Sequence, residues 1–398
     1  MKRLQVLAGA SFLFAGSIAA VNGCSSVDDS MPATTGDSGT TDVTTEPPTD
    51  AGMPDTHVDI DATPPFDCTV RPHDAGADAG DAGPQLPDEL YCTGLYSDWG
   101  AKTVAPGILP FNAGVVLWSD GAIKSRWISL PAGTKINSTD MDEWNFPVGT
   151  RLFKEFKLGT QRIETRLFEK VANSGDDADW VFTVYRWAAD ESSAPKMESG
   201  ELNVNGTGYE VPAVAQCLTC HHGRKDKVLG FEAIGLGIPS ADQTGVTLDK
   251  LVTGSLLTVN PASSHLTIPE DFTGKAVGAL GWLHANCGTS CHSASPAAAA
   301  KFTPLHMRLT MDQVLPSDGG VGQVTLTDTY LTAVNKASFS ATYPLIIKSH
   351  DPDNSYLHLR DLIRDPSDAG YTQMPPIITH RPDDAGVAAV ADWITGVN

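Results

Sequence analysis

The spacing of apolar positions changes three times along this chain, and each regime predicts a different kind of element. Leu4 to Val21 is an apolar run interspersed with Gly, Ala and Ser, and it follows Lys2 and Arg3. The run is too short and too rich in small residues for a membrane span, so residues 1–23 predict a secretory signal. From Ser25 to about Asp88 apolar residues become sparse among Thr, Asp, Pro, Gly and Ala, ending in Asp74-Ala75-Gly76-Ala77-Asp78-Ala79-Gly80-Asp81-Ala82-Gly83. Such a stretch cannot bury enough surface to offset the entropy of ordering it, which makes residues 24–88 a disordered acidic linker.

Between Tyr91 and Pro212 the period is two. Arg162-Ile163-Glu164-Thr165-Arg166-Leu167-Phe168 and Trp180-Val181-Phe182-Thr183-Val184-Tyr185-Arg186-Trp187 alternate, with β-branched and aromatic residues on the apolar side. Val115-Val116-Leu117-Trp118 and Lys124 to Leu130 predict two more strands about the turn Ser119-Asp120-Gly121, and Thr150 to Leu158 a fifth. An antiparallel β-rich domain at 89–212 follows, as a sandwich or small barrel. Later the period becomes helical. Ala276, Val277, Leu280, Leu283 and His284 share one face running into Cys287, and Gly278 and Gly281 permit a close helix crossing. Asp383-Asp384 precedes Val387, Val390, Ala391 and Ile394, an acid-capped amphipathic terminal helix. The fold class is therefore α+β and multidomain, β-rich first and mainly α-helical towards the C-terminus.

Charge changes this picture little. The formal net charge is −21 over 398 residues, and much of it sits in the linker, where Arg71 is nearly the only cation. The acidity is mostly a property of that tether, and no nucleic-acid partner is expected. The chain has no nucleotide loop, zinc-protease His pair or nucleophile elbow. Glu164 and Glu169 could be posed as paired carboxylates, but exposed strand faces carry such residues routinely, and they are assigned no catalytic role.

The seven cysteines divide without remainder. Val21-Asn22-Gly23-Cys24 resembles a bacterial lipobox, in which cleavage before Cys24 leaves it to carry the lipid; ordinary signal cleavage nearby is the alternative. Cys217/Cys220 and Cys287/Cys291 are close pairs. Cys68 and Cys92 remain for a disulfide, which would tie the linker's end to the folded body and contribute on the order of 3 kcal/mol.

Cys217-Leu218-Thr219-Cys220-His221 has the spacing of covalent c-type haem attachment. Two thiols add across the two vinyl groups, the two-residue spacer lets both reach one porphyrin edge, and the adjacent histidine turns under the iron. Cys287-Gly288-Thr289-Ser290-Cys291-His292 has a three-residue spacer with the Cys-His step intact, and Gly288 eases the extra bulge. A zinc site uses Cys pairs at similar spacing, and each pair could instead be a redox disulfide, but neither needs a histidine directly after the second cysteine. Gln373-Met374-Pro375-Pro376 presents Met374 from a rigid loop as a natural sixth ligand of the second haem. Residues 213–267 thus form a first haem-binding segment and 268–398 a cytochrome c-like domain. For the first haem's sixth ligand Met197, His265 and His284 are the candidates, although His284 also suits a hydrogen bond to a loop or propionate. His222 cannot reach across the ring from beside His221. His306, His350, His358 and His380 read as surface or packing residues, and Asp351-Pro352-Asp353-Asn354-Ser355 as a turn lacking the glycine and glutamate of a calcium loop.

Several stretches resemble a family of exported bacterial dihaem c-type cytochromes with a β-rich region ahead of the first haem motif. They are Leu95-Tyr96-Ser97-Asp98-Trp99-Gly100, Phe146-Pro147-Val148-Gly149-Thr150 with Arg162 to Leu167, Gln216 to His221, Leu280-Gly281-Trp282-Leu283-His284-Ala285-Asn286-Cys287 and Met374-Pro375-Pro376. The resemblance spans most of the chain after the linker and implies two haem c groups and electron transfer; the three-residue spacer departs from the family's usual two. The expectation is an electron carrier serving redox partner proteins, held to a membrane by its lipid. Ser25 after Cys24 resembles an outer-membrane sorting signal. The alternatives are an enzyme of the dihaem peroxidase or oxidase kind with one open haem, and a substrate-binding module that uses the haems as its electron outlet.

Overall fold

The computed structural model describes residue 68 and residues 86–240, 244–364 and 373–398. The expected signal, Cys24 and most of the acidic linker lie outside the described residues. What is described has mixed α/β content built on one six-stranded antiparallel sheet. Its strands follow chain order: β3 (Leu109–Pro110), β4 (Ile123–Ser129), β5 (Arg151–Leu158), β6 (Gln161–Lys170), β7 (Trp180–Arg186) and β8 (Lys196–Met197). A separate short pair, β1 (Tyr96–Asp98) and β2 (Thr103–Val104), precedes them. The β5–β6 hairpin closes through two residues, and the first, Gly159, takes a φ of +59° that a tight turn demands and a side chain would resist.

The sheet is a single open layer rather than the expected sandwich or barrel. Alternation explains why: Ile128, Leu152, Phe168 and Trp180 point to one face, Trp127, Phe153, Leu167 and Tyr185 to the other, and all eight are buried. The first face packs against residues from the chain's second half, including Val228, Phe231 and Leu280. The second is covered by Leu86, Leu90, Leu95, Tyr96 and Ile108 from the segment ahead of the sheet. Cys68, joined to Cys92 by a disulfide, is fastened to that covering segment. The first face is covered by the helical half and the second by the segment that carries the short β1–β2 pair, so the six strands neither close into a barrel nor meet a second large sheet. Lys170 and Asp226 form a fully enclosed ion pair (2.6 Å) that Trp180 Nε1 and the Phe146 amide also join, fastening β6 and β7 to the chain beyond the first cysteine pair.

The second half is helical in short pieces: α1 (Cys217–His221), α2 (Ala233–Gly237), α3 (Leu248–Thr253), α4 (Ala276–Leu283), α5 (Met311–Val314), α6 (Asp328–Ala333), α7 (Tyr356–Leu362) and α8 (Asp384–Gly396). The acid-capped terminal helix is α8, where Asp383 accepts from the Gly386 amide. Its close approach to α4 depends on Gly386, since a methyl group there would run into the Trp282 indole, which itself donates to Asp383 (2.8 Å). One hydrophobic cluster runs from Phe111 to Val397 and joins sheet and helices. Among the described residues no helix is long and apolar enough to cross a membrane.

Val115–Trp118, expected as a strand, is irregular. The Asn286 side chain holds it instead, accepting from the Trp118 amide (2.6 Å) and donating to the Val116 carbonyl (3.3 Å). Once its backbone is bound to the helical half it has no free edge to offer β4.

Candidate functional site

The first Cys–Cys–His run is α1 itself, a single α turn. Ahead of it the Gln216 side chain accepts from the Ala213 amide (2.8 Å), fixing the entry of the chain. Four residues close an α turn, so His221 lies one turn beyond Cys217. Its ring stands edge-on to Phe168 of β6 at 4.5 Å and near Phe182 of β7. His221 Nδ1 is 2.5 Å from the Lys227 carbonyl oxygen. A carbonyl only accepts, so Nδ1 carries the hydrogen and the lone pair is on Nε2. Burial, reinforced by the charge of Arg166, pushes the imidazole down to about 3 and keeps it neutral near pH 7.

The second run has one more residue and a different backbone. α4 passes at His284 into a π turn, His284–Gly288. The Thr289 amide bonds the His284 carbonyl and the His292 amide bonds the Cys287 carbonyl, each at 2.8 Å and each five residues back. The wider stride absorbs the extra residue, and His292 again lies one turn beyond its first cysteine. Gly288 makes this packing fit, because a methyl group would collide with the Met307 carbonyl and the Arg308 amide. His292 is buried, its Nδ1 has no hydrogen-bond partner among the described residues, and burial pushes its pKa down to about 4.

The two turns meet. A methyl group at Gly223, just after α1, would run into the Ser290 carbonyl, so the backbones touch there. Cys217, Cys220, His221, Cys287, Cys291 and His292 all line one cleft. Its interior holds about 250 Å³ beneath an open mouth. Met374 lines it too, its amide donating to the Arg360 carbonyl of α7 (3.0 Å), while Gln373 Nε2 bonds the Pro375 and Thr379 carbonyls to hold the loop.

No family model, curated protein or solved structure matches this chain. Its chemistry is therefore read from the cleft. All four motif cysteines are free thiols. Burial pushes Cys220 up to about 11, with the neighbouring Cys291 adding to it, and raises Cys287 well above the usual thiol range. Neutral, buried thiols are poor redox nucleophiles, which work as thiolates. Among the described residues no three His, Cys, Asp or Glu side chains converge to hold a metal ion alone. A group large enough to reach both a thiol pair and an imidazole fits this donor set; a bare ion does not.

None of the three residues proposed for the first haem's sixth position lines the cleft. Met197 packs against the cluster of Phe156, Val184 and Val211. His265 is exposed beside Ser264. His284 is buried with both nitrogens engaged: Nδ1 accepts from the Leu309 amide (2.9 Å), so Nε2 donates to Glu232 (3.2 Å). His306, His350, His358 and His380 also lie away from the cleft. Glu164 and Glu169 fall on opposite faces of β6, and Glu164 is bound by Arg166 and Tyr209.

Sequence reasoning passed over Glu232. Burial favours its neutral form, yet Arg224, His284 and Arg308 hold its carboxyl well below the usual range. Arg224 trails the first motif and His284 precedes the second, so this buried carboxylate fastens the two turns from behind. Arg308 and Arg224 also reach Glu143 and the Asp142 carbonyl. Arg224 is eight residues from Glu232, but Arg308 and Glu143 are far from it in sequence, and no local pattern marks the four as partners.

Proposed function

We propose that this chain is a dihaem c-type cytochrome that carries electrons in the cell envelope, held to a membrane by a lipid on Cys24. The observation that carries the reading is the meeting of two Cys–Cys–His turns on one cleft. Cys217 and Cys220 would hold one haem and Cys287 and Cys291 the other, as thioethers. His221, with its lone pair on Nε2, and His292 would be the proximal ligands, and Met374 the sixth ligand of the second haem. When bound, the two haems supply one-electron chemistry at iron. The residues of the chain fix the imidazole tautomer, exclude water from the ligand side and keep both attachment points in one space. The order α4, second motif, Met374 loop and α8, with α4 and α8 crossed at Gly386, supports reading 268–398 as a cytochrome c-like domain.

One feature favours the enzyme reading. Asp361 lines the cleft, buried, with Oδ2 unpartnered among the described residues, and a haem that cleaves peroxide needs such an acid beside an open position. A pyridine haemochrome count with oxidised and reduced spectra, on protein matured by a c-type attachment system, tests both readings. Two low-spin haems indifferent to peroxide are expected of the carrier. Two haems with one high-spin and peroxide-reactive would favour the enzyme, and absence of haem would overturn both.

A further inference from the structure

Resting on the dihaem reading, we propose that Lys154 supplies the sixth ligand of the haem attached at Cys217 and Cys220, through its neutral amine. The register of the sheet singles it out. Arg126 of β4, Lys154 of β5 and Arg166 of β6 are direct cross-strand partners and form a transverse row of three cations on one face. Like charges placed directly opposite destabilise a sheet. Arg166 is relieved by its bidentate bonds to Glu164 (2.8 and 2.6 Å). Lys154 has no hydrogen bond and no ion pair among the described residues; its amine lies 5.3 Å from the Phe156 ring centroid and lines the cleft. A half-buried amine without a counter-ion is costly as a cation. Burial, with Arg126, Lys124 and Arg166 beside it, pushes Lys154 well below the usual lysine range.

The position suits the first haem. Lys154 is diagonal on the sheet to Phe168, the residue whose ring supports His221. It lines the same cleft as Cys220 and His221. Of the other donors lining the cleft, the Tyr209 hydroxyl donates to Glu164 (2.6 Å), and Met374 goes to the second haem in the reading above. An amine that has released its proton to solvent offers a lone pair, and a coordinate bond to iron would use it without placing a charge in the cleft.

The test uses the full chain matured with haem. Wild type should show two haems per chain, both low-spin, with a near-infrared magnetic circular dichroism band for histidine–amine ligation beside one for histidine–methionine. Lys154→Ala should retain two haems and turn one of them high-spin, and added imidazole should restore the low-spin form. Lys154→Met, which keeps a ligating side chain, should stay low-spin and exchange the histidine–amine band for a second histidine–methionine band. Two haems with no histidine–amine band in wild type would overturn the assignment, and so would a Lys154→Ala spectrum identical to wild type. The wild-type band decides the matter even where a variant fails to fold. A wild-type count below two would overturn the dihaem reading itself, which the haemochrome assay separates from any change of spin state.

Discussion

The two Cys–Cys–His turns put the same three side chains on the same cleft with different backbones. In the first, His221 follows Cys217 by four positions on α helix; in the second, His292 follows Cys287 by five, closed by a five-residue hydrogen bond at the end of the π turn. What the chemistry requires is a completed turn between thiol and imidazole, and the number of residues in that turn is free to vary when the surroundings supply the wider hydrogen-bonding stride. The second turn has that support from Gly288 pressed against Met307 and from the Met307 amide bonding the His292 carbonyl (2.8 Å). The first has none of this and stays α.

The largest break in this comparison is removal of the thiols. Replacing Cys217 and Cys220 together by Ser should lower the haem count from two to one, and the same change at Cys287 and Cys291 should lower it equally. The haemochrome assay reads both. A count unchanged by the second pair of substitutions would mean that the π turn is not a working attachment site.

Next in size is Glu232, which both turns lean on. Glu232→Gln leaves Arg224 and Arg308 buried without their shared carboxylate, and breaking such a network costs about 3–5 kcal/mol. Urea unfolding of the matured protein measures it. The folded carboxyl sits below its ordinary value of 4.5, so the unfolded chain binds the proton more readily. Its contribution is full above about pH 4.5 and is lost as pH falls towards the folded value. The gap between wild type and Glu232→Gln should therefore narrow on acidification; a gap that widens would contradict the ion-pair account.

Two glycines come next. Gly223→Ala drives a methyl group into the Ser290 carbonyl, and Gly288→Ala drives one into the Met307–Arg308 backbone. Overpacking of this kind costs about 1–3 kcal/mol. Gly288→Ala should also perturb the second haem's absorption and leave the first unchanged. Gly223→Ala, at the junction of the turns, should disturb both.

How much of this was legible in the sequence follows from range. Period-two alternation located β4 to β7 because side-chain alternation is a property of a strand by itself. The terminal helix was legible for the same reason, from Asp383 and its apolar stripe. Val115–Trp118 has strand composition, and a side chain 168 residues away, Asn286, overrides it. The sandwich expectation failed because nothing local in β4 to β7 says that Leu86 to Ile108 and the helical half will cover the two faces. At the site, each Cys–Cys–His run was readable from spacing, but the π turn was not, since it is set by Met307. Met197, His265 and His284 were chosen by residue type alone, and only the sheet register brings forward Lys154, which no ligand pattern marks.

The smallest effect sharpens the contrast between two groups lining the cleft, an amine without a counter-ion and an acid with an unpartnered oxygen among the described residues. Asp361, close to Cys287 and flanked by Arg360 and Arg364, is pushed up to about 8 by burial, from an ordinary value of 3.8. Here the folded chain binds the proton more readily than the unfolded one. Stability therefore declines as pH rises from about 4 to 8, where the unfolded carboxyl is ionised and the folded one is not. Asp361→Asn mimics the protonated form. It should match wild type near pH 4, gain on it through that interval, and hold a constant advantage above pH 8, on the order of 1 kcal/mol because water admitted through the cleft softens the charge. Thermal melts at pH 4, 6 and 8.5 suffice. A variant less stable than wild type at pH 8.5 would show that the Asp361 carboxylate is paired and ionised in the fold, and would remove the feature that favours an acid-assisted reaction at the second site.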